Sequence, residues 1–281
     1  MKSYRVTAGR IAAYMEYLRQ EERAAATIEK YRRDTEEFSL FLAGRGASKE
    51  LAVKWKERLT ERGLTAATVN GKLSAVNGLF RFLGWEECRV RYLKIQRRLF
   101  RDQSRELNRE EYLRLLQAAR STGQERLELL MEAICATGIR VSEVRYLTVE
   151  AAREGRAAVR LKGKIREILL PGKLHRKLLQ FAKKQKIASG EIFLTRSGKS
   201  LSRKQIWQEM KRLCVRAGVE PGKVFPHNLR HLFATTFYRV CRDIVKLADV
   251  LGHSSIETTR IYLLTTGTEH ARYLERLRLI C

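Results

Sequence analysis

Helix-period spacing of apolar residues through the first third, only three prolines in the whole chain, and one short β-prone run predict a mainly α-helical protein. The β-prone run is "AAVRLKGKIREILLP" (157–171), where two strand-like stretches flank Lys-Gly-Lys, a hairpin signal. The expected architecture is an N-terminal four-helix bundle, followed by a larger, mostly helical domain that carries this small β-hairpin.

The elements follow in order. Ile11, Tyr14, Met15 and Leu18 stand at i, i+3, i+4, i+7 and predict a first helix. Ile28, Tyr31, Phe38 and Leu42 continue one face of a second, ended by "GRG". Leu51, Trp55 and Leu59 form a third stripe behind Ser48, which fits an N-cap. Thr65 caps a fourth, with Val69, Leu73, Val76, Phe80 and Leu83 on its face. Four such amphipathic helices can bury one another's apolar sides as a bundle. "KIQRRLFRDQSREL" (94–107) then reads as a basic connection. The expected division is residues 1–96, a linker over 97–107, and a second domain over 108–281.

In that second domain Asn108 and Glu111 form a capping-box pattern ahead of Tyr112, Leu115, Leu116 and Ala119. "LELLMEAICATG" is apolar nearly all round, as a buried central helix would be, and Gly138 stops it. Helices return over 174–186 and 202–217, the latter with Ser202 and Gln205 as a second capping box. "DIVKLADVLGH" sets Ile244, Leu247, Ala248 and Leu251 on one face and closes on Gly252.

Composition narrows the function. Among 281 residues, 57 are basic and 31 acidic, a formal charge of +26, which points to a polyanionic partner such as nucleic acid. No stretch is apolar over the ~18 residues a spanning helix needs, so no membrane role is expected. "MKSYRVTAGR" lacks the apolar run of a signal peptide, and a cytoplasmic, nucleoid-associated protein is expected. The five cysteines are scattered without a CxxC pair, which argues for free thiols rather than a structural zinc site. Cys135, between Ile134 and Ala136, reads as a core residue rather than a nucleophile.

Three stretches carry the chemistry: "ATGIRVSEV" with Arg140, "PHNLRHLFATTFY" with His227 and Arg230, and "LGHSSIETTRIYL" with His253 and Tyr262. Singly, each has a bland reading: a surface cation, a basic helix, a C-cap histidine, a core tyrosine. Together and in this order they resemble the tyrosine recombinase (lambda-integrase) family, in particular its Xer-like and phage or transposon integrases. The likeness at motif level covers 108 to about 265. The N-terminal bundle is similar in size and position to the family's core-binding, SAM-like domain.

The resemblance implies metal-free, cofactor-free cleavage and rejoining of duplex DNA through a 3′-phosphotyrosyl intermediate on Tyr262. It implies that Arg140 and Arg230 hold the phosphate, a task suited to planar guanidinium forks. It makes His227 the base for Tyr262, whose phenol class ordinarily holds its proton to about pH 10. It gives His253 a hydrogen bond to a non-bridging oxygen, and a hairpin lysine the proton for the departing 5′-oxygen. Lys164 follows the glycine as in the family pattern, and Lys162 remains the alternative. Glu143 is expected to orient its neighbours. His227 and Arg230, at i and i+3, share a helical face; His231 is expected to point elsewhere and to pack, and Phe233, Phe237 and Tyr238 to be core.

Other readings stay open: a type IB topoisomerase using the same chemistry, and a DNA-binding regulator without catalysis. The partner is double-stranded DNA in each. Strand exchange between two duplexes needs four cleavages, so a homotetramer on paired sites is expected. The tail stretch Tyr273, Leu274, Leu277 and Ile280 could couple its protomers or pack back in cis.

Overall fold

The computed structural model describes residues 4–95, 103–161, 164–263 and 275–277. The chain divides into two compact units, Met1–Arg97 and Arg98–Cys281. Half of the basic connection, residues 96–102, lies outside the described residues, as do Tyr273, Leu274 and Ile280 of the tail.

The first unit holds α1 (Ala8–Gln20), α2 (Ala25–Leu42), α3 (Lys49–Glu61) and α4 (Ala66–Phe82). Thr7, Ser48 and Thr65 accept the first free backbone N–H groups of α1, α3 and α4. Each stripe read from the sequence turns inward. Phe38, Leu42, Trp55, Leu59, Leu73 and Phe80 form one cluster, while Ile11, Tyr14, Met15, Leu18, Ile28 and Leu79 form another. Phe38 stands edge-on to Trp55 at 5.0 Å and to Phe80 at 5.7 Å, a favoured aromatic geometry.

Two asparagines of α4 fasten the chain that leaves this bundle. Asn77 Nδ2 donates to the Val90 carbonyl at 2.9 Å, and the Val90 N–H returns to Asn77 Oδ1 at 3.0 Å. Asn70 does the same with Leu93, at 2.9 and 2.8 Å. Each amide thus replaces a missing strand partner for an extended segment.

The second unit runs α5 (Arg109–Ser121), α6 (Glu125–Thr137), a 3-10 turn over Val141–Tyr146, α7 (Val149–Glu154), β1 (Arg156–Leu161) and β2 (Lys164–Leu169). It continues with α8 (Gly172–Lys184), α9 (Arg203–Ala217), α10 (Pro226–Cys241), α11 (Ile244–Leu251) and α12 (Ile256–Arg260), ending in a 3-10 turn over Ile261–Leu263. Both expected capping boxes are present, Asn108 with Glu111 and Ser202 with Gln205. Helix α6 is the spine: Leu130, Met131, Ala133 and Ile134 are fully buried, and α5, α8, α9 and α10 pack on it. The hairpin is antiparallel with Val159 opposite Arg166 and Leu161 opposite Lys164. The two β-strands are the sheet expected from "AAVRLKGKIREILLP"; the turn residues Lys162 and Gly163 lie outside the described residues. Among the described residues no helix is long and apolar enough to cross a membrane.

The sequence reading missed the 3-10 turn and α7. Each spans six residues, too short for a helical period to register. Local chemistry fixes α7 instead, with Thr148 capping its start and Gly155 its left-handed end.

Asn77→Ala should destabilise the first unit by about 2–3 kcal/mol, because it leaves buried Val90 groups unpaired. Leu40→Ala, at a position 81% exposed, is the control and should change stability by less than about 0.5 kcal/mol. Urea titration followed by the tryptophan fluorescence of Trp55 and Trp85 reads this difference.

Candidate active site

Two helix ends and one helix start build the site. Helix α6 stops at Gly138, left-handed with φ +63°, and the chain turns into the extended Arg140. A Cβ on Gly138 would lie 2.4 Å from the Phe233 ring, so only glycine lets α10 approach here. Helix α11 stops in the same way at Gly252, φ +61°, and delivers His253. Ser255 accepts the Glu257 N–H and starts α12, which leads to Tyr262. Helix α10 begins with Pro226 at its first position and carries His227, Arg230 and His231 in its first turns.

The carbonyls left free by these left-handed ends become acceptors for arginine. Arg230 is 3% exposed. It donates to the Gly138 carbonyl, to the Leu251 carbonyl at 2.8 Å, and to His253 Nε2 at 2.9 Å. Arg140, whose side chain is 39% exposed, donates to the Gly252 carbonyl at 3.1 Å and to Glu143 Oε1 at 2.9 Å. Glu143 is 1% exposed and also takes the Arg140 backbone N–H at 3.0 Å on Oε2. It holds the arginine, as expected.

A guanidinium cannot accept a hydrogen bond. His253 Nε2 is therefore the acceptor from Arg230, and Nδ1–H donates to Thr259 Oγ1 at 2.9 Å. Burial, with Arg230, Arg140 and Arg166 nearby, pushes the His253 imidazole down to about 4. It is neutral at pH 7. His227 is also held below its ordinary value, by partial desolvation and then by Arg230 and Arg140. A neutral imidazole there is free to take a proton. Burial and then Arg140 bring Arg230 down to about 10, which leaves it charged at pH 7.

Tyr262 is 4% exposed and packs with Ala234, Leu247 and Leu251. Its ring stacks on His253 at 6.1 Å and meets His231 edge-on at 4.8 Å. His231 does not point elsewhere, contrary to expectation. It stands at i+4 from His227, and i+4 shares a helical face as well as i+3 does. Its Nε2 also lies 3.7 Å from Glu106. Phe233, Phe237 and Tyr238 line the same cluster, as expected.

One residue escaped the sequence reading. Arg166 on β2 donates to Glu143 Oε2 at 2.6 Å and to the Val250 carbonyl at 3.3 Å, and also reaches the Leu251 carbonyl. Strand alternation held the signal: Ile165 is 69% exposed, whereas Arg166, with a side chain 14% exposed, shares the inner face with buried Ile168. A buried arginine implies a buried carboxylate. Lys164 belongs to β2, but its side chain, like Lys162, lies outside the described residues. Cys135 is half-buried rather than part of the core, and desolvation pushes its thiol up to about 12. Among the described residues no cluster of histidine, cysteine and carboxylate side chains is placed to hold a metal ion. What the geometry offers is an anion site: three guanidinium groups against one carboxylate, with a tyrosine and two histidine rings beside them.

Residues 105–267 match the Phage integrase family, and residues 11–87 match the Phage integrase, N-terminal SAM-like domain. The chain is 31% identical to tyrosine recombinase XerD of Rhizobium meliloti (strain 1021), over 92% of this chain and 91% of that protein. Its fold is similar to that of the XerH site-specific recombinase bound to difH substrate in a pre-cleavage complex (TM-score 0.71, 20% identity, 96% of this chain and 84% of that one). It is similar also to a lambda integrase tetramer bound to a Holliday junction (TM-score 0.74, 19% identity, 90% of this chain and 76% of that one).

An imidazole whose pKa is lower folded than unfolded gives stability above its unfolded value that is lost as pH falls through the folded one. For His253 the window runs from 6.5 down to about 4. The His253 imidazole NMR signal should therefore keep its neutral position to pH 5 or below, while protein stability falls across that window. A midpoint at or above about 6, near the ordinary histidine value, would contradict the buried Arg230–His253 contact.

Proposed function

The chain belongs to the phage integrase family of tyrosine recombinases, and from that premise we propose that it is a site-specific DNA recombinase acting through a 3′-phosphotyrosyl intermediate without a metal. The observation that carries the reading is the meeting of Arg140, Arg230 and His253 beside Tyr262 in one cluster of net positive charge.

The scissile phosphate enters between Arg140 and Arg230. Each trades part of its carbonyl contacts for non-bridging oxygens, where bidentate guanidinium pairing is strong. The Tyr262 oxygen attacks phosphorus, and His227, neutral at pH 7, takes the phenolic proton. The bond from phosphorus to the 5′-oxygen breaks, and the leaving oxygen collects a proton from Lys164. The reverse sequence, with a 5′-hydroxyl of the partner strand as nucleophile, rejoins DNA. Incoming phosphate adds negative charge and raises the affinity of His253 for a proton. Its Nε2–H can then donate to a phosphate oxygen instead of accepting from Arg230.

The case for Lys164 over Lys162 is backbone register: position 164 is paired within β2, two residues from Arg166 along the same strand. Duplex DNA as partner is supported by the charge of +26 and by the DNA-bound relatives. A homotetramer on paired sites follows from the four cleavages of strand exchange, and the lambda integrase tetramer supports it. The tail beyond Tyr262 is the proposed coupling element between protomers. The boundaries 1–96, 97–107 and 108–281 stand as the proposed division into core-binding domain, linker and catalytic domain. The place of action is the cytoplasm, at the nucleoid.

Tyr262→Phe should keep DNA binding and abolish covalent protein–DNA adducts on a denaturing gel. Arg140→Ala and Arg230→Ala should each slow single-turnover cleavage by about 10²–10³, the loss of one oxyanion-type donor. Cleavage should persist in EDTA. Adducts from the phenylalanine variant, or arginine variants within threefold of wild type, would remove the assignment.

A further inference from the structure

Arg166 sits behind the arginine that meets solvent. Its two terminal nitrogens are committed to protein: one to Glu143 Oε2 at 2.6 Å, the other to the Val250 and Leu251 carbonyls at the end of α11. Its Nε is buried without a hydrogen-bond partner. Gly252 presses on its stem, since a Cβ there would lie 2.2 Å from Arg166 Cδ. Glu143 is thereby divided between two cations, with Oε1 on Arg140 and Oε2 on Arg166. The Leu251 carbonyl is likewise shared by Arg166 and Arg230.

This sharing bears on phosphate binding. A carboxylate paired with Arg140 alone would offset the charge that Arg140 must present to DNA. With Arg166 supplying a second positive charge, Glu143 orients Arg140 without neutralising it. The same side chain ties the hairpin strand to the turn that precedes His253, so one guanidinium sets the spacing between two functional groups.

We propose that Arg166 is a positioning residue of this site, one that takes up the charge of Glu143 and clamps the Leu251–Gly252 turn, so that Arg140 and His253 meet the phosphate correctly placed. It touches no reacting atom. The inference rests on reading the pocket as the DNA-cleaving one.

The test measures single-turnover cleavage of a nicked suicide substrate, and affinity for the same DNA, in full-length protein. Wild type and Tyr262→Phe are the controls: absence of an adduct from the first, or an adduct from the second, overturns the parent reading and, with it, the proposal that rests on it. With those controls in place, Arg166→Met should slow cleavage by about 10–100-fold, the range for losing a partner that orients a functional group from behind, with DNA affinity within about twofold. Adding Glu143→Gln to Arg166→Met should then speed cleavage relative to Arg166→Met alone, because the uncompensated carboxylate is gone. A purely structural role predicts further loss in the double variant. Arg166→Met at wild-type rate, or a double variant slower than Arg166→Met, overturns the proposal. If Arg166→Met does not fold, Arg166→Gln takes its place in the same cycle. Its amide can still donate a hydrogen bond but carries no charge to offset Glu143, so the same rescue is expected and the same further loss overturns it.

Discussion

The site depends on one buried carboxylate. Glu143 is 1% exposed, and a charge so far from water persists only when opposite charges and hydrogen bonds surround it. Arg140, through its side chain and backbone N–H, and Arg166 supply them. The requirement runs outward from there. The 3-10 turn must present Glu143 towards β2, the hairpin must aim Arg166 inward, and α11 must end where its carbonyls meet both Arg166 and Arg230. Glycine at 138 and 252 allows those ends, being left-handed at both and closely approached at both.

The arginines would repel one another without the helix termini. The C-terminal ends of α6 and α11 carry partial negative charge on their last carbonyls. Arg230 spends its donors on them and stays charged, although burial and Arg140 bring it down to about 10. The protein thus holds excess positive charge in a small volume, with its counter-charges made of Glu143 and backbone carbonyls. An anion entering this pocket meets donors already oriented, which is how preorganised electrostatics lowers a barrier. Burial, and then the same field, keeps His253 and His227 neutral, the state in which one accepts from Arg230 and the other can accept a proton.

Much of this was legible in the sequence, for physical reasons. Long amphipathic helices declare themselves through period, and Ser48, Thr65, Asn108 and Ser202 cap helices because their side chains satisfy free N–H groups. The ordered set of Arg140, His227, Arg230, His253 and Tyr262 pointed to one site, although the role of each residue remains a proposal. What escaped was short or relational. The turn over Val141–Tyr146 and helix α7 are too brief to show periodicity. Arg166 looked like one more basic residue in a chain of 57, because its meaning lies in Glu143, twenty-three positions away. His231 lies at i+4 from His227, on the same helical face, and its ring meets Tyr262 at 4.8 Å.

The central claim is that a scissile phosphate docks between Arg140, Arg230 and His253 while Glu143 stays clamped by Arg166. A crystal structure of the Tyr262→Phe protein bound to an intact DNA duplex carrying its target site tests it most directly. The account predicts non-bridging phosphate oxygens within hydrogen-bond distance of both guanidinium groups and of His253 Nε2, with the Arg166–Glu143 pair unbroken. A phosphate held elsewhere, or Arg166 released from Glu143 to bind it, would contradict the account.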